Sequence, residues 1–312
     1  MLVSFIWGCF VCFVGRVVSF VSASGGVGKT TFSVLTAGAL AVDGKRVLLV
    51  DLDPSASASL WLGVVAGDDC DLRALFKRLV DFMLGRVRSR PEVERCIGQY
   101  RVNGTRAYFD VLPGGNLDDV VGDVRSVPKW DSLLVKLLEP VLDRYDYVVV
   151  DSPNWVHAFF PVTIPLSSYY VVLSRADSAE VEKTRVFVER VVALMRNQFD
   201  IRSPDMYTVV ALNQMRFNRV VDIERAWRNA YERLRSSFPN IVVLKSGERY
   251  RYYGREESEF YGFKLRVDLG IESYREEGHV LVRGDDAAAM QFRAFYKFLV
   301  DYIESTSPYT VE

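Results

Sequence analysis

The sequence predicts an α/β fold, a mostly parallel sheet with helices on both faces. Three observations predict it. Short, nearly continuous apolar runs such as "RVVSFVS", "RVLLV" and "YVVV" alternate with longer amphipathic stretches. This is the pattern of parallel strands buried on both faces between helices. The first of these runs leads through a glycine-rich turn into a helical pattern, and two others end in carboxylates. In such sheets ligands sit beyond the carboxyl ends of the strands, where all these features fall.

Taken in order, "RVVSFVS" is a β-branched strand before glycines. Residues 29–42 read as a helix closed by Gly44. "KRVLLVDLDP" is a second buried strand. Residues 68–102 are charged and helical in spacing, as in "LRALFKRLVDFMLGRV", and "AYFDVLPGG" is a third strand. "SLLVKLLEPVLDRY" is helical, with a bend or break at Pro140. "YDYVVVDSP" is a fourth strand. "SYYVVLS", "MYTVVALNQ" and "NIVVLK" are further strands, separated by the helices "SAEVEKTRVFVERVVALMRNQF" and "DIERAWRNAYERLRSSF". "DDAAAMQFRAFYKFLVDYIES" closes the chain as a helix. No long linker or repeat intervenes, so residues 16–304 read as one domain with a variable helical region at 66–106 and a tail at 305–312.

The 312 residues are 49% apolar and 25% charged, enough for a sizeable core. A net charge of −1 implies no whole-protein attraction to nucleic acid or anionic membrane. Cys9, Cys12, Cys70 and Cys96 are too few for a disulfide framework. Cys9 and Cys12 form a C-x-x-C pair that reads as small apolar residues in an apolar run, against a redox or metal site. That run, residues 1–15, is too short for a spanning helix and lacks the flanks of a secretory signal. Three readings of it stay open: a misassigned start or loose tail, a packed extra strand or helix, and a weak membrane anchor.

Residues 23–30, "ASGGVGKT", fit the phosphate-loop pattern between strand and helix. Gly25, Gly26 and Gly28 let the backbone of the Ser24–Val27 turn aim N–H groups at phosphate oxygens, and the helix N-terminus adds partial positive charge. Lys29 is placed to reach the β and γ phosphates, Thr30 to offer its hydroxyl to Mg²⁺, and Thr31 to donate to the α phosphate. A magnesium nucleotide needs nearby carboxylates. Strand alternation puts Asp51 and Asp53 on one face with Asp53 further out, and Asp151 ends another strand. A strand terminator or helix cap is the plainer reading of any one of these acids.

In order, "SGGVGKTT", "VLLVDLDPSASAS" and "YDYVVVDSP" resemble the deviant-Walker P-loop ATPases, the P-loop NTPase group of ParA, Soj and MinD. "DLDPSASAS" and "FDVLPGGNLDDV" are most similar to the ParA branch. The resemblance implies slow ATP hydrolysis and a nucleotide-sandwich homodimer in the ATP state, with ATP and Mg²⁺ as cofactors. It implies catalytic roles for Lys29 and Asp53, nucleotide contacts from Ser24, Gly25, Gly26, Val27, Gly28, Lys29, Thr30, Thr31 and Asn213, and a metal site of Thr30, Asp53 and Asp151. Asn213 matches the asparagine that reads the base; a turn-forming asparagine is the alternative. "NQMR" lacks the N-K-x-D pattern of guanine recognition, which favours ATP.

Two departures stand out. Ser24 occupies the place of the signature lysine that reaches the partner's phosphates, and its loss lowers transition-state stabilisation unless another cation such as Arg175 substitutes. "DSPNW" replaces a two-proline loop with Asn154 and Trp155. The resemblance further implies a cytoplasmic, nucleoid-associated protein that binds double-stranded DNA without sequence preference, acts in plasmid or chromosome partition and meets a ParB-like stimulating protein. Arg216, Arg219, Lys245, Arg249, Arg251 and Arg255, with nearby tyrosines, suit phosphate contact; a solvated face balanced by glutamates is the alternative. The alternatives in function are a MinD-like membrane-associated positioning ATPase, disfavoured by a packed rather than basic amphipathic C-terminal helix, and a pseudo-ATPase that binds nucleotide without turnover. Iron–sulfur relatives need later cysteines than Cys96.

Overall fold

The computed structural model describes residues 5–6, 9–10, 16–64, 67, 69–198, 207–213, 220–234, 241–243, 246–252, 255–260 and 287–306. Its strands are β1 (Phe5–Ile6), β2 (Cys9–Phe10), β3 (Arg16–Ser22), β4 (Val47–Asp51), β5 (Gly98–Arg101) and β6 (Tyr108–Leu112). They continue with β7 (Tyr147–Asp151), β8 (Tyr169–Arg175), β9 (Tyr207–Asn213), β10 (Ile241–Val243), β11 (Ser246–Tyr252) and β12 (Arg255–Phe260). The helices are α1 (Lys29–Val42), α2 (Ser57–Leu62), α3 (Leu72–Met83), α4 (Val121–Arg125), α5 (Leu133–Leu138), α6 (Ser178–Gln198), α7 (Val220–Leu234) and α8 (Ala287–Thr306).

Eight strands form one sheet in the order β10-β9-β8-β3-β7-β4-β6-β5. Neighbours are parallel except at the β5/β6 edge. The alternation within each apolar run decides which helix it meets. Val18, Leu49, Val149 and Val171 face α1 and α8, where Phe32 packs edge-on against Phe295 at 4.9 Å between ring centroids. Val148 and Val150 face α3 and α5, and Tyr170, Val172 and Val210 face α6 and α7. Each such fully buried side chain contributes roughly 1.5–3 kcal/mol of apolar transfer free energy.

Two details differ from the sequence reading, and one, the second below, settles an alternative it left open. Within 68–102 only α3 is a long helix, N-capped by the Asp71 carboxylate, which accepts from the Ala74 N–H at 2.7 Å. The segment ends instead in β5, which turns back onto β6 through Asn103 and Gly104, the latter at φ 71°. An Asn-Gly pair is a local hairpin signal, and here it closes the β5–β6 turn. Second, α5 stops at Leu138, so Pro140 marks a break and not a bend. Third, Cys70 and Cys96 are joined in a disulfide with Cα atoms 4.8 Å apart. The chain leaves Cys70 along α3 and returns to it in the single-turn helix Val93–Cys96, which a cysteine count cannot reveal. In the apolar extension β1 pairs antiparallel with β2; the rest of residues 1–15, including Cys12, lies outside the described residues.

The candidate nucleotide site

The carboxyl ends of β3, β4, β7, β8 and β9 bring the predicted residues to one edge of the sheet. The loop after β3 turns through Gly26 at φ 67° and Gly28 at φ 103°. A Cβ at Gly28 would stand 2.8 Å from Asn213 Nδ2, so both conformation and close approach require glycine there. Asn213, at the end of β9, is buried and donates from Nδ2 to the Val27 carbonyl at 2.7 Å; its Oδ1 has no hydrogen-bond partner.

Lys29 opens α1 and is 7% exposed. Its ammonium donates to Asn154 Oδ1 at 2.9 Å and to Ser22 Oγ at 3.2 Å. Burial holds its pKa below the ordinary ammonium value, against the pull of the Asp151 and Asp53 charges. The Ser22 hydroxyl also ties the loop by donating to the Ser24 carbonyl at 2.7 Å. Asn154 was read only as a change of loop. The signal that marks it is a polar side chain just past the acid ending an apolar strand. Next to it, Trp155 donates from its indole to the Ala23 carbonyl at 3.1 Å. The loop after β7 thus holds both the phosphate loop and its lysine.

Asp51 and Asp151 lie opposite each other in the β4/β7 register and are fully buried. By alternation they share the faces of Leu49 and Val149, toward α1. Burial is the first cause of raised pKa at both, to about 6 for Asp51 and about 8 for Asp151; the Asp51 charge adds to the rise at Asp151. At Asp51 the rise is limited by Ser59, whose N–H and hydroxyl donate to Oδ2 at 2.8 and 2.7 Å. At Asp151 neither oxygen has a well-formed hydrogen bond, although the Thr30 hydroxyl lies near enough to ease ionisation. Since β4 ends at Asp51, it is the following turn that places Asp53. Its Oδ1 accepts from the Ser55 N–H at 3.0 Å and the Ser55 hydroxyl at 2.6 Å.

Buried carboxylate oxygens without partners fit a hard cation held beside Thr30. Among the described residues no cluster of three or more His, Cys, Asp or Glu is built to hold a metal by itself.

Ser59 links this site to the loop after β6, because its hydroxyl accepts from the Gly114 N–H at 3.0 Å. A Cβ on Gly114 would fall 2.7 Å from the Asp51 carbonyl oxygen. Gly114→Ala is therefore expected to destabilise the fold by about 1–3 kcal/mol through overpacking. It should appear as a lower urea midpoint at unchanged slope; an unshifted midpoint would show that the strand ends can separate at little cost.

On the other flank, the Ser24 hydroxyl lies near enough to Glu180, in the first turn of α6, to ease its ionisation. Arg175, ending β8, donates from Nη2 to the Gly25 carbonyl at 3.3 Å. Glu180 was not anticipated; no local pattern distinguishes it from any other acid in a first helical turn.

A family model for an AAA domain, AAA_31, matches residues 15–201. The chain belongs to that family and, within it, to the ParA/Soj/MinD group of P-loop ATPases. It is 33% identical over 162 residues to the virulence plasmid ParA family protein pGP5-D of Chlamydia psittaci, an alignment covering 50% of this chain and 56% of that one. The chain spans about half the length of the curated relatives it matches. Among solved structures, the ATP complex of Cyanothece McdA is similar at TM-score 0.65 and 15% identity, over 96% of this chain and 99% of that one. The pNOB8 ParA bound to nonspecific DNA is similar at TM-score 0.59 and 17% identity, over 94% and 99%. These likenesses establish the P-loop NTPase fold.

Proposed function

We propose that this protein is a ParA-like ATPase that binds ATP–Mg²⁺, dimerises in the ATP state, hydrolyses ATP slowly and serves plasmid or chromosome partition on non-specific double-stranded DNA. The observation that carries the proposal is the buried Lys29 ammonium in a glycine-built loop, facing the unpartnered Asp151 carboxylate and Thr30. A cation, a metal-ready carboxylate and a phosphate cradle converge where a Mg²⁺ nucleotide needs them. In this reading Thr30 and Asp151 hold Mg²⁺, Asp53 contributes to the metal and positions the attacking water, and Thr31 meets the α phosphate. The bound Mg²⁺ would offset charge on the phosphates. Ser24, Gly25, Gly26, Val27 and Gly28 wrap the phosphates. The open acceptor Oδ1 of Asn213 suits the exocyclic amine of adenine.

DNA as the track is supported by the pNOB8 neighbour and by arginines late in the chain. Arg249, Arg251 and Arg255 lie on the antiparallel β11–β12 hairpin. Arg216, Arg219 and Lys245 lie outside the described residues. A nucleoid location and a ParB-like stimulating partner belong to the same reading. Among the described residues no helix is long and apolar enough to cross a membrane. Ser24 favours a second reading, a nucleotide-binding module without turnover, which intact ATP binding with undetectable hydrolysis would establish.

The test is binding of the Asp53→Ala protein, slowed in hydrolysis, to random-sequence duplex DNA at moderate salt, first with ATP–Mg²⁺ and then with ADP–Mg²⁺. Tight binding with ATP alone is expected. Equal or absent binding with both nucleotides overturns the partition reading.

A further inference from the structure

The loop after β7 brings one neutral side chain to the mouth of the phosphate loop. Asn154 stands three residues past Asp151 and is half-buried. Its Oδ1 accepts from the Lys29 ammonium at 2.9 Å. Its Nδ2 lies 3.7 Å from where a Gly25 Cβ would be. Gly25 and Gly26 are exposed, so the rim of the loop on this side is open to a ligand. The amide therefore reaches from Lys29 to that rim.

The segment that carries it is tied down. The Asn154 carbonyl accepts from the His157 N–H at 2.8 Å. The Trp155 indole donates to the Ala23 carbonyl at 3.1 Å, and its ring packs on Phe187 at 5.9 Å between centroids. The Arg190 guanidinium covers the Trp155 ring, 5.2 Å from its centroid. An ammonium has three donors. Those of Lys29 that go to Asn154 and Ser22 leave the third for phosphate. With the inner phosphates held against the start of α1, and Lys29 at the β and γ phosphates, the phosphate nearest the rim is the terminal one. A primary amide suits that place. It accepts from a cation through one atom, donates to an anion through the other, and carries no charge that repels either. Its N–H bond to a phosphate oxygen is charge-assisted, and so stronger than a bond between neutral groups.

We infer that Asn154 binds the γ phosphate and makes this site prefer ATP to ADP: Nδ2 donates to the terminal phosphate while Oδ1 keeps Lys29 aimed at it. This rests on the nucleotide reading above. It also ties the terminal phosphate to Trp155, the next residue in the chain, which is bonded to the start of the phosphate loop.

The test is calorimetric titration of the full chain with ATP and with ADP, both with Mg²⁺, for wild type, Asn154→Ala and Asn154→Asp. The ratio of ATP to ADP affinity is the readout. Wild type is expected to prefer ATP. Asn154→Ala should lose about tenfold in ATP affinity, the worth of one charge-assisted hydrogen bond, and keep ADP affinity within about twofold. Asn154→Asp keeps an acceptor for Lys29 and loses the donor, so its ratio should fall at least as far. A ratio unchanged in either variant, with equal losses or with none, would make Asn154 a brace of Lys29 or no part of the site. That outcome, or a wild type without preference for ATP, overturns the inference and leaves the nucleotide reading standing. Wild type that binds neither nucleotide overturns that reading and the inference together. If Asn154→Ala fails to fold, the Asn154→Asp titration alone decides between these outcomes.

Discussion

Lys29→Ala is expected to lower ATP affinity by at least about a hundredfold, the loss of one or more strong charge-assisted contacts to phosphate. The argument rests on where the ammonium is held. It is buried, pulled into place by Asn154 and Ser22, and its charge is made costly by desolvation, which only a multiply charged anion in the loop would fully offset. Removing it also leaves Asp151 without its nearest compensating cation. Titration with a fluorescent ATP analogue checks the binding, and unchanged affinity would take the phosphate loop out of the function altogether. Asn154→Ala should have a smaller effect in the same direction, since it frees Lys29 without removing its charge.

Asp151→Asn should do two opposite things. It should make the nucleotide-free protein more stable by about 1–3 kcal/mol near pH 8, because a buried carboxylate without well-formed hydrogen bonds is replaced by a neutral amide. It should also abolish the dependence of nucleotide affinity on Mg²⁺. The pH sign follows from the raised pKa values, about 6 at Asp51 and about 8 at Asp151. A carboxyl that holds its proton more tightly folded than unfolded favours the fold below its ordinary pKa. That advantage is lost as pH rises through the folded value. Stability of the nucleotide-free wild type is therefore expected to fall between about pH 4 and pH 8, with Asp151→Asn flattening the upper part of the decline. Thermal unfolding across that range reads the effect. A wild type whose stability rises toward pH 8 would mean that Asp151 has a compensating partner in solution.

Much of this site could be read from residue order. The glycine loop, Lys29, the threonines and Asp151 were placed by strand–turn–helix grammar, which is local. Asp53 was placed near the site by strand alternation, whereas the strand ends two residues earlier and a serine-braced turn sets its position. β5 escaped because its helical-looking approach and its hairpin signal compete over the same few residues.

What the sequence by itself determined is the α/β order, the faces of the strands, the phosphate loop and the family. Each depends on periodicity or on residues adjacent in the chain. What only the tertiary structure decided is who holds whom: Lys29 by Asn154, 125 residues away, Val27 by Asn213, 186 residues away, and Asp51 by Ser59, itself held by Gly114. These contacts form where parallel strands from distant parts of the chain end side by side. Spacing along the sequence carries no record of which loop meets which, because that is settled by strand order in the sheet.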